Sequence, residues 1–134
     1  MKIRVLIVDD SAMMRRLLTQ IIEQSPDFEV VGAAPDAQSA RELIKELNPD
    51  VLTLDVNMPR MDGLTATQAL RERGTTTYII GVSADAMTEE RDAALAAGMD
   101  DYLPKPISQV ALAAAIEGWR QRMVAMRQLE QRRD

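Results

Sequence analysis

Cysteine and histidine are both absent from the 134 residues of this chain. Without cysteine it has no disulfides and no thiolate nucleophile. Without histidine it lacks the commonest metal ligand and general base, so serine-triad and zinc chemistry are excluded. Any chemistry falls to carboxylates, lysine, serine, threonine or tyrosine. The sequence also has no run approaching the roughly 20 apolar residues of a membrane-spanning helix. The segment from Met1 to Asp10 reaches acid with no signal-peptide pattern, which makes the cytoplasm the expected location and a membrane partner unexpected.

What is present fits one soluble globular domain. The chain is 46% hydrophobic and 28% charged, so neither disorder nor a fibrous repeat describes it. The formal net charge of -5 is unevenly placed. Residues 1–119 carry 11 basic and 19 acidic side chains, a balance of -8, while residues 120–134 carry five and two, a balance of +3. An acidic body repels phosphate backbones, so no nucleic-acid partner is expected. The basic tail reads as a solvated helix face.

Strand-length apolar runs recur at Ile3–Val8, Phe28–Ala33, Val51–Leu54, Tyr78–Val82 and Tyr102–Leu103. The first, third and fourth are nearly continuous in valine, isoleucine and leucine, as parallel strands buried on both faces require. Between them lie helical stripes such as Met14, Leu17, Leu18, Ile21 and Ile22, or Ala37, Ala40, Ile44 and Leu47. Ser11 or Asp10 caps the first helix and Asp36 the second; Asn48-Pro49 closes the second. Met61-Asp62-Gly63 marks a turn before a third helix of about 64–73, ended by Gly74, and a fourth helix of about 86–97 stops at Gly98. A fifth begins after Pro106 and runs towards the end. Five alternations of strand and helix predict an α/β, doubly wound, five-stranded parallel sheet with five helices.

In such a sheet, ligands bind outside the carboxyl ends of the strands. Asp9 and Asp10 follow the first strand, Asp55 ends the third, Ser83 follows the fourth and Lys105 lies just beyond the fifth. Three carboxylates at one rim repel one another and call for a cation; hard oxygen ligands suit Mg²⁺. Lys105 and Ser83 are placed to hold an anion. A carboxylate nucleophile, a divalent cation, a lysine and a hydroxyl are the parts of a phosphoryl transfer whose product is an aspartyl phosphate.

The runs Val5-Leu6-Ile7-Val8-Asp9-Asp10-Ser11, Asp55-Val56-Asn57-Met58-Pro59-Arg60-Met61-Asp62-Gly63, Ser83-Ala84 and Lys105-Pro106 resemble the receiver domain of two-component response regulators over about residues 3–118. The resemblance implies a flavodoxin-like sheet of order 2-1-3-4-5, a receiver domain at 1–118 and a C-terminal extension of the last helix at 119–134. It implies that Asp55 accepts a phosphoryl group from a histidine kinase or phosphotransfer protein. Asp10, Asp55 and the Asn57 carbonyl would contact Mg²⁺ directly, and Asp9 mainly through water. Lys105 would pair with the phosphoryl group, Ser83 would turn its hydroxyl onto it, and Tyr102 would rotate into the space left behind. The switched surface would be the fourth helix, fifth strand and fifth helix, meeting a downstream protein. By this resemblance the chain is a signalling domain that catalyses only its own phosphorylation and dephosphorylation. Residues to about Leu64 look most like receivers of the chemotaxis methylesterase, while Ile79–Met87 and Gly98–Pro106 look more like receivers of hybrid sensor kinases, the pattern of a lateral mosaic or an engineered chimera.

Blander readings stand beside these. Asp9-Asp10 alone would serve as helix caps, Ser83 as a cap of the fourth helix, Lys105 as a solvated loop residue and Tyr102 as a half-buried strand residue. The resemblance also favours a cis Lys105-Pro106 bond. A Mg²⁺-dependent phosphatase with an aspartate nucleophile usually carries a second acid two residues on, where this chain has Asn57. Neither G-x-x-x-x-G-K-[ST] nor G-x-G-x-x-G occurs, which disfavours a nucleotide site. A receiver-like module used only for dimerisation is the remaining alternative. Leu112, Ile116, Trp119, Met123 and Met126 step as a heptad seam whose last three members are expected beyond the sheet, a dimer or docking helix.

Overall fold

The computed structural model describes residues 2–56, 63–83 and 88–131. Strands β1 (Ile3–Val8), β2 (Phe28–Ala34), β3 (Val51–Asp55), β4 (Tyr78–Ser83) and β5 (Asp101–Pro104) alternate with helices α1 (Ala12–Glu23), α2 (Ala37–Leu47), α3 (Gly63–Glu72), α4 (Thr88–Ala97) and α5 (Gln109–Gln131). All strand pairs are parallel and the order is β2-β1-β3-β4-β5, the expected flavodoxin-like arrangement.

Strand alternation sorts the core into two layers. Ile3, Val5, Ile7, Val51, Tyr78 and Ile80 pack with Leu18 and Ile22 of α1 and Leu112, Ala115 and Ile116 of α5. Leu6, Val8, Leu52, Leu54 and Ile79 face the other way, against Ala40 of α2, Ala66 and Leu70 of α3 and Ala94 of α4. Burial on both sides explains why these strands read as unbroken apolar runs. The helix starts follow the expected chemistry, with Ser11 accepting from the Met14 amide and Asp36 from the Ser39 amide.

The last helix departs from expectation in one respect. Trp119 packs against the layer that holds Tyr78 and Ile116, so it belongs to the core and not to the uncovered part of the seam. The covered stretch runs one turn further because the α5 face lies along the start of β4. Past it, Arg122 pairs with Asp100 and stacks over the Tyr78 ring at 4.7 Å, while Arg71 binds the other Asp100 oxygen at 2.8 Å. Met123, Val124, Met126 and Leu129 are exposed. No helix among the described residues is long and apolar enough to cross a membrane.

Because Ile116 is fully buried and Val110 lies open on the same helix, Ile116→Ala is expected to cost about 2–5 kcal/mol of unfolding free energy. Val110→Ala should stay within about 0.5 kcal/mol of the parent. Urea denaturation of the two variants checks the difference.

Candidate functional site

The order of the strands reverses between β1 and β3, and the crevice at such a point opens outside their carboxyl ends. Register places Val8 beside Leu54 and Asp55 beside Val82, so the residues ending three strands reach the same rim. Asp9 continues the alternation of Ile3, Val5 and Ile7, and Asp55 that of Val51 and Thr53, so both belong to the α1/α5 side of the sheet. Both are buried, whereas Asp10 is exposed. One carboxylate oxygen from each of the three lies within 4.8 Å of the others.

Lys105 supplies the facing cation. Its backbone amide donates to the Ser83 carbonyl at 2.7 Å, and its Nζ stands 3.5 Å from Asp55 Oδ1 and 3.7 Å from Asp9 Oδ2. The Lys105-Pro106 bond is cis, as the family pattern favours. Asp9 Oδ1 accepts the Ser11 amide at 2.9 Å, but Asp9 Oδ2 is buried without a hydrogen bond. Burial, more than anything else, pushes the Asp9 carboxyl above the usual carboxylate range. The Ser11 amide opposes that rise, Asp55 adds to it, Lys105 opposes it and Asp10 adds to it. A buried carboxylate oxygen lacking a donor, within reach of two more carboxylates, is a donor set suited to a hard divalent cation.

The other predicted residues fall as follows. Ser83 is fully buried at the end of β4 and its hydroxyl donates to Glu90 Oε1 of α4 at 3.0 Å. Tyr102 is buried in the layer facing α2, α3 and α4, not half-buried. Asn57 lies outside the described residues, as does the turn through Asp62.

Three residues escape sequence reasoning. Arg15 donates to the Asp9 carbonyl at 2.7 Å, holding the backbone of the site from α1. Gly63 donates its amide to the Val56 carbonyl at 2.8 Å, and a Cβ there would stand 2.6 Å from Val56 Cα and 2.9 Å from the Asp55 carbonyl. Glycine thus lets α3 begin directly against the backbone that carries Asp55. The Gly63 motif reads as a turn in sequence, and only the fold reveals this close approach. Glu90 has no sequence signal beyond being an acid in the first turn of a helix.

The family model for the response regulator receiver domain matches residues 5–117. A protein-glutamate methylesterase/protein-glutamine glutaminase of Dechloromonas aromatica is 56% identical over 106 residues, covering 78% of this chain and 30% of that protein. Its counterpart in Xanthomonas campestris is 45% identical over 124 residues, 92% of this chain and 34% of that protein. The chain thus spans about a third of the length of these relatives, and matches this long continue well past Leu64. Among solved structures, the response regulator domain of Thermotoga maritima CheB is 36% identical with a TM-score of 0.72, covering 96% of each chain. A CheX–CheY–BeF3–Mg²⁺ complex from Borrelia burgdorferi is 30% identical with a TM-score of 0.78, covering 86% of this chain and 87% of that one.

Since the folded protein holds the Asp9 proton more tightly than the unfolded chain, ionised Asp9 destabilises the fold, and this loss grows as pH rises through its raised pKa. Asp9→Asn is therefore expected to raise stability, and with it Tm, at pH 7. The gain should shrink as the pH is lowered and the parent carboxyl takes up its proton. Thermal melts in EDTA across this range check both expectations.

Proposed function

Because the chain belongs to the response regulator receiver domain family, we propose that Asp55 is its phosphoacceptor, taking a phosphoryl group from a histidine kinase or phosphotransfer protein. The observation that carries the reading is a buried carboxylate at the end of β3, with Lys105 Nζ at 3.5 Å and two further carboxylates beside it. In the transfer, an Asp55 oxygen attacks phosphorus as the bond from phosphorus to the donor's imidazole nitrogen breaks, and the imidazole leaves with the bonding pair. This chain has no histidine, so that imidazole belongs to another protein or domain.

Lys105 first balances Asp55 and Asp9, then moves its charge onto the phosphoryl oxygens. Ser83 turns its hydroxyl onto the same group, and Tyr102 takes the space vacated. Asp9, Asp10 and Asp55 are the residues that would hold Mg²⁺, with Asn57 added by the family motif, and the orphaned Asp9 oxygen fits that assignment. Mg²⁺, when bound, neutralises charge that the single lysine leaves over. A structural relative containing BeF3 and Mg²⁺ supports the same chemistry.

The output surface is α4, β5 and α5. Residues 1–118 form the receiver and 119–134 an extension, whose exposed Met123 and Met126 suit a second copy of the chain or a docking partner. As part of a longer methylesterase-like protein, the receiver would regulate that protein's activity.

With Mg²⁺ and acetyl phosphate, intact mass spectrometry is expected to find one added phosphoryl group on the parent and none on Asp55→Asn. Lys105→Ala should lower the yield by about tenfold or more, and EDTA should abolish it. Unmodified parent protein under these conditions, together with failure to bind beryllofluoride, would reject the assignment.

A further inference from the structure

Ser83 is fixed by its backbone and contested at its side chain. Its carbonyl accepts the Lys105 amide at 2.7 Å, and the preceding Val82 carbonyl accepts the Val56 amide at 2.9 Å. The residue is therefore tied to the strands that carry Lys105 and Asp55. Its hydroxyl points elsewhere, donating at 3.0 Å to Oε1 of Glu90, in the first turn of α4. A serine hydroxyl has one proton to give. That proton cannot serve both the Glu90 carboxylate and a phosphoryl oxygen on Asp55.

We propose that Glu90 is a positioning residue: it holds the Ser83 hydroxyl in the unphosphorylated protein, and phosphorylation of Asp55 frees the first turn of α4 by taking that hydrogen bond away. The proposal rests on the reading of Ser83 given above. A hydrogen bond to a carboxylate is stronger than one between neutral groups, so the Glu90 hold is a real competitor. Coupling between two binding events is reciprocal, and whatever loosens Ser83 from Glu90 must therefore tighten the grip of Ser83 on the phosphoryl group. Glu90 thereby links the buried site to the face of α4 without touching the reacting atoms.

Beryllofluoride in the presence of Mg²⁺ is the probe, with its affinity measured by calorimetry for the parent, Glu90→Ala, Glu90→Gln, Ser83→Ala and the double variant Ser83→Ala/Glu90→Ala. Glu90→Ala should bind about three- to tenfold more tightly than the parent, and Glu90→Gln, which keeps a neutral acceptor, should fall between them. Ser83→Ala should bind more weakly than the parent, and in that background Glu90→Ala should have no further effect. An equal gain in both backgrounds would mean that Glu90 acts by charge alone and would overturn the proposal. No gain in either, with Ser83→Ala still weakened, would overturn it while leaving the Ser83 reading intact. Unchanged affinity in Ser83→Ala would reject that reading and the proposal together.

Discussion

Two buried carboxylates held against a single ammonium group are the constraint on which the rest of this molecule turns. Asp9 and Asp55 repel each other, and Lys105 stands 3.7 and 3.5 Å from them. For Asp9 the balance is unfavourable to folding, since desolvation outweighs the help of the Ser11 amide and Lys105. It persists because β1 and β3 are locked side by side, with apolar layers packed on both faces of the sheet. The stability comes from the layers, and the strained electrostatics ride at their edge.

The imbalance has a direction. Among the described residues, the three carboxylates and Lys105 sum to a formal charge of -2, which a divalent cation would cancel. On the proposed reading, a phosphoryl group arriving at Asp55 would add negative charge where Lys105 is already shared between two acids. An uncompensated site would repel it, so cation binding and phosphoryl transfer are linked steps of one electrostatic problem. Asp9 Oδ2, buried without a hydrogen bond and 3.7 Å from Lys105 Nζ, fits such a requirement.

The positions of Asp9, Asp10, Asp55, Ser83 and Lys105 were legible because a parallel sheet sends all its carboxyl ends to one rim, and apolar runs mark where strands stop. Strand parity then fixes which face each acid joins. Other features depend on distances that no local pattern encodes. Gly63 looks like any turn glycine until α3 is set against Asp55 and Val56. Trp119 shares its period with Met123 and Met126, but only the position of Tyr78 decides which of them are covered. Glu90 reads as a favourable acid in a first helical turn; its hydrogen bond to Ser83 depends on how α4 lies over β4. Asn57 is placed by the family motif alone.

How α4 is held bears on how a change at Asp55 reaches the surface. Among its described side chains only Ala94 and Ala97 are buried, and Leu95 is 41% exposed. By contrast, α5 buries Leu112 and Ile116 completely. Each buried methylene contributes about 0.8 kcal/mol, so two alanines anchor a helix far less firmly than a leucine and an isoleucine do. Against so small an apolar contribution, one charge-assisted hydrogen bond at the first turn is a large share of what positions α4. The protein thus places a lightly anchored helix beside its buried acidic cluster. In the proposed switch, a single proton, offered by Ser83 to one acceptor or the other, would connect them.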